Sequence, residues 1–475
     1  MKVLIHSALV LTAIIAQPAH TELQGIEYDG YLGIWYSNQP TQDEYVYKYS
    51  GGLGTYTADH IPMAVYAPAV NKTFFVYGGT LRGQNTLVEM VSYYDHTTGK
   101  LPRPHLLMEK GTDDAHDNPV LALDNDGYLW VFLSAHGIAR PAWIMRSNGP
   151  YSIDGFTTIL ETNFSYPQPW FLPGKGFLFL HTRYKDGRGL HWQTSPEGRT
   201  WTEPRLLAHM EEGHYQISWP WGEKVGTAFN YHPKGKGLNH RTNIYYVETG
   251  DFGETWRTVA GETLETPLRD KRTPALVHDY EADGLKVYLC DLNYDAAGRP
   301  IVLHIVTQGW QPGPENGPRT WRTAHWTGNE WVLNDITPAD SNYDMGSLYV
   351  AEAGAWIVVA PTEPGPQAYN PGGEVILWES RDEGAHWQRK AQLTQNSAYN
   401  HTYARRPLNA QPGFWSFWAD GDCRKLSASR LYFYDAAQSK VFRMPDTMPA
   451  REASPEPVTA PVEGEAPNSP RPLRP

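Results

Sequence analysis

Short runs of apolar residues, many of them alternating with polar ones, follow one another along most of the chain. Helical spacing of apolar residues is almost absent. The runs are rich in Val, Tyr, Phe and Trp, and clusters of Gly, Pro, Asn and Asp separate them. Such runs predict strands, and such clusters predict the turns between them. The chain is therefore predicted to be all-β.

Three turn segments repeat along the chain and resemble the Asp-box, a turn written S-x-D-x-G-x-T-W. They are Thr194–Trp201, with Pro196 at the Asp position, Thr249–Trp256 and Ser380–Trp387. In such a turn the Asp side chain accepts backbone N–H groups, and the Gly adopts a left-handed conformation. The segments are therefore structural. Their tryptophans are 55 and then 131 residues apart, about one and then two blades of a β-propeller.

With this spacing as a ruler, seven four-stranded units fit the chain, so we predict a seven-bladed β-propeller with degenerate Asp-boxes. The segment Tyr31–Tyr49 is left over and is expected to supply a closing strand to the last blade. The units are centred on Met63–Tyr94, on the hairpin at 119–134, and on Tyr166–Trp201, Tyr215–Trp256, Thr273–Trp331, Asp344–Trp387 and Arg406–Arg443.

The two ends of the chain differ in composition from the rest. Residues 1–21 contain a lysine, a short apolar run and then small residues, which predicts a secretory signal peptide and a secreted protein, extracellular or periplasmic. The apolar run is too short to span a membrane. The propeller is expected over 22–445, and a disordered Pro- and Glu-rich tail over 446–475. Two cysteines provide no disulfide framework.

One predicted hairpin has a histidine near each end. Its strands are Pro119–Leu123 and 128–134, and its turn is Asp124-Asn-Asp-Gly127. Because paired antiparallel strands begin and end at the same edge, His116 and His136 should lie close together. Imidazole exchanges protons near neutral pH, so the pair could perform acid–base chemistry or could simply make polar contacts.

Composition narrows the choice of ligand. The formal net charge is -12, which argues against nucleic-acid binding, whereas 18 Trp and 29 Tyr suit the apolar faces of sugars. An anionic ligand would need a local basic patch. Asp-boxes join the third and fourth strands of a blade, and the active face is expected opposite them. Candidate residues there include His60, His116, His136, Arg183, Tyr184, Arg188, Tyr231 and Arg241.

Several of these residues stand in motifs, namely Asp114-Ala-His116-Asp-Asn-Pro, Ser134-Ala-His136-Gly, Arg183-Tyr184 and Asn239-His-Arg241-Thr-Asn. Together with the Asp-boxes, the chain resembles the secreted BNR-repeat family that includes the ulvan lyases of polysaccharide lyase families 24 and 25. The resemblance covers about residues 31–445. It implies a propeller that cleaves ulvan, a sulfated polymer of rhamnose and uronic acid from green algae, by β-elimination.

The resemblance also implies roles for the candidate residues. The two histidines carry over onto His116 and His136, the tyrosine onto Tyr184 or Tyr231, and the arginine onto Arg183, Arg188 or Arg241. Our hypothesis makes His116 the principal base or acid and Tyr184 its partner, while His136 and an arginine neutralise the uronate carboxylate. His60, Arg183, Arg188, Tyr231 and Arg241 are expected to bind substrate. The partner is an anionic sulfated polysaccharide, and a monomer without nucleic-acid or membrane partners is expected.

No cofactor is required for this chemistry, but some relatives are expected to carry a structural metal. If the fifth unit pairs as predicted, Cys290 faces His304 with His278 beside them, which makes a candidate zinc site. A buried cysteine beside hydrogen-bonded histidines is the simpler interpretation of the same residues.

Two other functions fit parts of the sequence. An Asp-box glycoside hydrolase, such as a sialidase, would share the turns and the secretion signal, but it needs a pair of acidic residues that does not stand out here. A sialidase also needs an arginine where this chain has Asp59-His60-Ile-Pro. A non-catalytic glycan-binding propeller would use the aromatic and basic residues, and would leave the histidines without a role.

Overall fold

The computed structural model describes residues 22–53, 59–184, 187–351 and 353–458. Within these ranges the chain forms strands joined by turns, and the helices are three short 3-10 turns, Pro68–Val70, Ala115–Asp117 and Pro314–Asn316. The prediction of an all-β fold is confirmed. No helix in the described ranges is long and apolar enough to cross a membrane. The predicted signal peptide at 1–21 lies outside the described residues.

The first three large sheets are antiparallel and follow one another along the chain. The first contains Ala64–Ala67, Lys72–Gly79, Val88–Asp95 and His105–Glu109, with Ile26–Glu27 at its outer edge. The second contains Pro119–Leu123, Leu129–Leu133, Ala142–Ser147 and Gly155–Thr162, with Glu22–Gln24 at its edge. The third contains Ser165–Leu172, Gly176–Arg183, Gly189–Ser195 and Arg205–Ala208.

The remaining large sheets continue the series. The fourth contains Gln216–Trp221, Lys224–Tyr231, Thr242–Thr249, Trp256–Arg257, Thr263–Leu264 and Leu276–His278. The fifth contains Lys286–Tyr294, Pro300–Thr307, Arg319–Trp326 and Trp331–Ala339. The sixth contains Ser347–Val350, Trp356–Pro364, Gly373–Ser380, Gln388–Gln392, Asn400–Arg405, Phe414–Gly421, Leu431–Asp435, Lys440–Arg443 and Glu456–Val458.

The sixth sheet consists of two four-stranded units, which are joined by a single residue pair, Gly373 with His401. Glu456–Val458 adds a further strand at the edge of the second unit. First strands of consecutive sheets contact each other from the first sheet to the sixth. The core lies between neighbouring sheets, where both faces of many strands are buried. All five residues of Leu129–Leu133 are buried, for example, which explains why this strand is a continuous apolar run.

The Asp-box turns form as predicted and join third to fourth strands. In the second box, Asp251 accepts hydrogen bonds from the N–H of Thr255 at 2.9 Å and from its hydroxyl at 2.5 Å. Gly253 has a φ of 86°, which an L side chain rarely adopts, and Trp256 is buried. In the third box, Asp382 accepts the N–H of His386 at 2.9 Å.

Removing an Asp-box carboxylate should destabilise the fold without changing the surroundings of His116 and His136. We expect Asp251→Ala to lower the free energy of unfolding by roughly 1–3 kcal/mol, because several donors lose a common acceptor. Urea unfolding followed by tryptophan fluorescence measures the change. Asp126→Ala is the matched control, since Asp126 is an exposed turn residue, and an equal loss in both variants would contradict the structural role of the box.

Three expectations about the chain ends and blade limits need correction. The closing strand of the last blade does not come from Tyr31–Tyr49, because Tyr36–Pro40 pairs with Tyr47–Gly51 in a separate two-stranded sheet. Glu456–Val458 pairs with the edge of the last large sheet instead. The predicted disordered tail therefore starts too early, because residues up to 458 form strands, and Glu452–Ala453 pairs with Leu101–Pro102. Residues 459–475 lie outside the described ranges. Leu276–His278, expected in the fifth unit, pairs within the fourth sheet.

Candidate active site

The histidine hairpin forms, and its two strands pair antiparallel as predicted. Pro119 pairs with Leu133, so both histidines lie at one end of the second sheet. The turn between the strands is held by Asp124, which accepts the N–H groups of Asp126 and Tyr128. The imidazoles of His116 and His136 lie nearly parallel, with ring centroids 3.8 Å apart and planes 10° apart. The prediction that the two rings are close is confirmed.

Asp114 holds both imidazoles. Its Oδ1 accepts from Nδ1 of His116 at 2.5 Å, and its Oδ2 accepts from Nδ1 of His136 at 2.7 Å. Asp114 also precedes the 3-10 turn Ala115–Asp117 and accepts the backbone N–H of His116 at 3.1 Å, which fixes this carboxylate against the turn. One carboxylate therefore orients two rings through the same ring atom.

An ion-pair network of buried and half-buried side chains holds Asp114 in place. The Arg140 guanidinium donates to Asp114 at 3.1 Å, and to both oxygens of Asp117 at 2.8 and 2.6 Å. Asp117 is fully buried and also lies 3.4 Å from the ammonium group of Lys110. Alternating charges of this kind restrict each side chain, because a buried charge that moves away from its partner loses a favourable interaction.

The electrostatics leave the carboxylate ionised and the deeper ring neutral. Burial opposes ionisation of Asp114, but the hydrogen bonds from His116 and His136 outweigh it, so the pKa of Asp114 lies well below its usual range. Burial lowers the pKa of His116, and the Asp114 hydrogen bond only partly compensates. The side chain of His116 is 1% exposed, whereas that of His136 is 39% exposed. His136 is thus the ring that a ligand can reach.

Tyr184 lies beside the exposed ring. Its ring centroid is 6.1 Å from that of His136, and its hydroxyl donates to the Tyr166 hydroxyl at 3.3 Å. Burial, with a further contribution from Tyr215, raises the pKa of Tyr184 to about 12. Tyr184 is therefore protonated at neutral pH, and it can donate a proton but cannot accept one.

Two arginines lie against tyrosine rings close to Tyr184. The guanidinium of Arg188 is 5.5 Å from the ring centroid of Tyr184 and 5.2 Å from that of Tyr215. Arg241 lies 4.5 Å from the Tyr215 centroid and donates to the Tyr343 hydroxyl at 3.4 Å. Both side chains are largely buried. The positive charge next to Tyr184 is what an anionic ligand requires on an acidic protein.

The other predicted binding residues divide into three positions. Arg183 lines a cavity next to Tyr184. His60 is completely buried, and its Nε2 donates to the backbone carbonyl of His116 at 2.9 Å, so it supports the turn and cannot touch a ligand directly. Tyr231 is also buried. Its ring packs on Tyr245 and its hydroxyl donates to Glu281, so it belongs to a different cluster from the histidine pair.

The candidate zinc site does not assemble from the residues that were expected. His278 bonds to Asp283 at 2.7 Å and His304 bonds to the Tyr280 hydroxyl at 2.9 Å, while Cys290 is buried at a strand irregularity. In the part of the chain that the structure describes, only Asp114, His116 and His136 bring three ligand atoms within reach of one ion. The Arg140 guanidinium bonded to Asp114 disfavours a cation there.

Reasoning from the sequence did not assign roles to Asp114, Arg140 or Tyr166. Asp114 could have been recognised from its position two residues before His116, where an Asp begins a turn and accepts the N–H that follows. Arg140 and Tyr166 carry no such local signal, because each meets the site through the packing of separate segments.

The chain belongs to the BNR repeat-containing family, whose model matches residues 88–338. Two relatives are ulvan lyases. One, of family PL25 from Pseudoalteromonas sp. (strain PLSV), is 23% identical, over 65% of this chain and 71% of that protein. The other, from Nonlabens ulvanivorans, is 24% identical, over 75% of this chain and 82% of that protein. The resemblance to this family and the expected enzyme class, a lyase, are thereby confirmed.

A solved structure shares the fold. It is a PL25 ulvan lyase bound to -[GlcA(1-4)Rha3S]-, with a TM-score of 0.65 and 18% identity. The match covers 87% of this chain and 96% of that one.

Proposed function

We propose that this chain is a secreted polysaccharide lyase that cleaves ulvan by β-elimination at the uronate. The observation that carries the proposal is the pair of imidazoles bonded to one ionised carboxylate beside a protonated tyrosine. The relatives, which are ulvan lyases, support the substrate. Secretion rests on the composition of residues 1–21.

We further propose that the sheets form a seven-bladed propeller. Five separate large sheets supply five blades, and the two units of the sixth sheet supply the other two. Two features support a closed ring of blades. First strands of successive sheets contact each other, and Val65, in the first sheet, forms a parallel bridge with Leu408, which follows the first strand of the last unit.

The proposed reaction needs a base, an acid and a positive charge. The base removes the proton from C5, the C–H electrons form the C4=C5 double bond, and the C4–O4 bond breaks while the acid protonates O4. Because His136 is the exposed ring and its Nδ1–H donates to Asp114, its Nε2 is the acceptor for the C5 proton. This differs from the hypothesis drawn from the sequence, in which His116 takes the leading role.

Tyr184 and Arg188 complete the mechanism. Tyr184 is protonated and lies beside His136, so it donates the proton to the departing O4. Arg188, next to Tyr184, neutralises the uronate carboxylate and so lowers the cost of forming a carbanion beside it. His116 lies under His136, shares Asp114 with it and keeps this carboxylate in position.

The experiment that tests the function is digestion of ulvan by the purified secreted protein. A lyase produces unsaturated uronyl ends, detected by the ultraviolet absorbance of the conjugated double bond and by mass spectrometry. Saturated reducing ends would indicate a hydrolase, and retention of ulvan without products would indicate a binding protein. Either of the last two results contradicts the proposal.

The alkaline side of the pH profile tests the role of Tyr184. On the alkaline side Tyr184 stays protonated until the pH approaches about 12, so kcat/KM should stay level to at least about pH 10. Initial rates in buffers of constant ionic strength measure this. An alkaline fall near neutral pH would remove Tyr184 from the role of acid.

A further inference from the structure

Tyr166 lies between the histidine pair and Tyr184, in the first strand of the third sheet, Ser165–Leu172. Its hydroxyl is 3.3 Å from that of Tyr184, and its ring centroid is 5.8 Å from that of His116. Tyr166 is 1% exposed, so a bound polysaccharide does not reach it. Any effect of Tyr166 on the reaction therefore passes through the residues that it contacts.

The backbone is strained at Tyr166. Its φ is 53°, in the left-handed region that an aromatic residue rarely adopts. The pairing of this strand with the next one is irregular at the same place, between Ser165 and Gln168. Strain of this kind persists only where the surrounding structure imposes it, and it clusters at functional sites. The conformation of Tyr166 therefore points to a function for its side chain.

The residue before Tyr166 ties this strand end to the loop that carries His136. The Ser165 hydroxyl donates to the Ala135 carbonyl at 2.5 Å and accepts the N–H of Gly137 at 3.0 Å. These are the two chain neighbours of His136. One short segment thus sets the position of Tyr166 and of the exposed imidazole together.

The two phenol groups can exchange the direction of their hydrogen bond. In the resting protein the Tyr184 hydroxyl donates to the Tyr166 hydroxyl. When Tyr184 transfers its proton to the departing O4, its oxygen becomes an anion, and the Tyr166 hydroxyl can rotate and donate to it. A hydrogen bond to an anion is stronger than one between neutral groups. The contact therefore gains strength as the proton leaves, which lowers the barrier to its transfer.

The electrostatics agree with this order of events. Burial raises the pKa of Tyr184, whereas the positive charge of Arg188 and the hydrogen bond with Tyr166 lower it. Burial raises the pKa of Tyr166 well above its usual value, so Tyr166 keeps its proton and stays a donor. Because Tyr184 is half-buried and Tyr166 is buried, Tyr184 is the phenol that loses its proton more readily.

We propose that Tyr166 is a positioning residue for the acid, which holds the Tyr184 oxygen in place and donates a hydrogen bond to the phenolate that forms. The proton that reaches O4 comes from Tyr184, the electron pair of the C4–O4 bond stays on O4, and Tyr166 keeps its own proton throughout. This inference rests on the proposed function, and it deepens the role given there to Tyr184.

Tyr166→Phe removes only the hydroxyl and keeps the ring contacts, so the variant should fold normally. We expect kcat on ulvan to fall roughly 10- to 100-fold, the value of one hydrogen bond to a charged group. KM should stay within about twofold of wild type, because Tyr166 does not contact the substrate. Initial rates of unsaturated product over a range of ulvan concentrations measure both constants. A rise in KM with unchanged kcat would overturn the assignment.

A double-mutant cycle tests whether Tyr166 acts through Tyr184. In Tyr184→Phe no phenolate forms, so adding Tyr166→Phe should lower the residual kcat by less than about twofold. Long incubations and mass spectrometry detect product from these slow variants. If Tyr166→Phe costs the same factor with and without Tyr184, the two residues act independently, and the assignment is wrong.

Tyr245→Phe is the matched control. Tyr245 is also completely buried, and its hydroxyl donates to the backbone carbonyl of Lys271 at 3.0 Å, outside the group around the histidine pair. This variant should keep kcat within about twofold of wild type. An equal loss of kcat in Tyr245→Phe and Tyr166→Phe would show a general effect of removing a buried hydroxyl, and would overturn the specific role.

The same assay separates this inference from the proposed function. Absence of unsaturated product from the wild-type protein would mean that the lyase function fails, and the role of Tyr166 would fail with it. Product from the wild-type protein with an unchanged kcat in Tyr166→Phe would overturn the role of Tyr166 alone.

Discussion

Replacing His136 by Gln is expected to lower kcat/KM on ulvan by roughly 10²- to 10⁴-fold, the usual contribution of a positioned general base. Gln keeps a polar group near Asp114 but cannot accept a proton from carbon. The protein should fold normally, because this side chain is 39% exposed. Formation of unsaturated product, measured at saturating and at limiting ulvan, separates the effect on kcat from the effect on KM.

His116→Gln is the comparison that decides between the two rings. His116 is 1% exposed and contacts Asp114, His136 and Tyr166, so its loss should disturb the pair and lower kcat/KM by a smaller factor, about 10-fold to 100-fold. A variant of His116 that is less active than the variant of His136, with normal folding by circular dichroism, would exchange the two roles and restore the hypothesis drawn from the sequence.

Asp114→Asn is expected to lower kcat/KM by roughly 10²- to 10⁴-fold, although Asp114 acts through the histidines and is a positioning residue. In the wild-type protein each oxygen of Asp114 accepts a hydrogen bond from one Nδ1–H group. Asn has a single acceptor oxygen, and its NH₂ group would face the second Nδ1–H as another donor. The imidazoles should then lose their common orientation. The pKa of His116, which the hydrogen bond to Asp114 raises against the effect of burial, should fall further, so the pH profile should shift.

The neighbouring residue provides the control for this variant. Asp113→Asn changes an exposed carboxylate on the same loop and should leave kcat/KM within about twofold of wild type. A merely structural role for Asp114 would lower the amount of active protein without moving the pH profile. An Asp114→Asn variant with a wild-type profile and activity within about threefold would exclude the orienting role.

Local chemistry explains which parts of this fold could be predicted. The hairpin that carries the histidines is specified by Asp124 and Gly127, which make the turn almost independently of the rest of the chain. The same holds for the box around Asp251, where acceptor and donors lie within five residues. Such features can be recognised because every group they need is close in sequence.

The misplaced residues have a different explanation. Tyr31–Tyr49 was predicted to add the closing strand to the last blade, but Glu456–Val458 adds it. Several segments could have paired with the same sheet edge, and local sequence does not choose between them. His60 and Tyr231 were expected to bind substrate because both were predicted to lie on the face opposite the Asp-boxes. Burial then depended on which neighbouring segments packed over them.

The sequence by itself determined the all-β class, the turns and the proximity of His116 and His136, because hydrophobic alternation and turn chemistry act over a few residues. Only the tertiary structure decided that Asp114 serves both rings, that His136 is the exposed one, that Tyr184 lies next to His136, and that Arg188 lies next to Tyr184. These relations depend on how whole sheets pack, and burial and electrostatic interactions between distant segments arise only then.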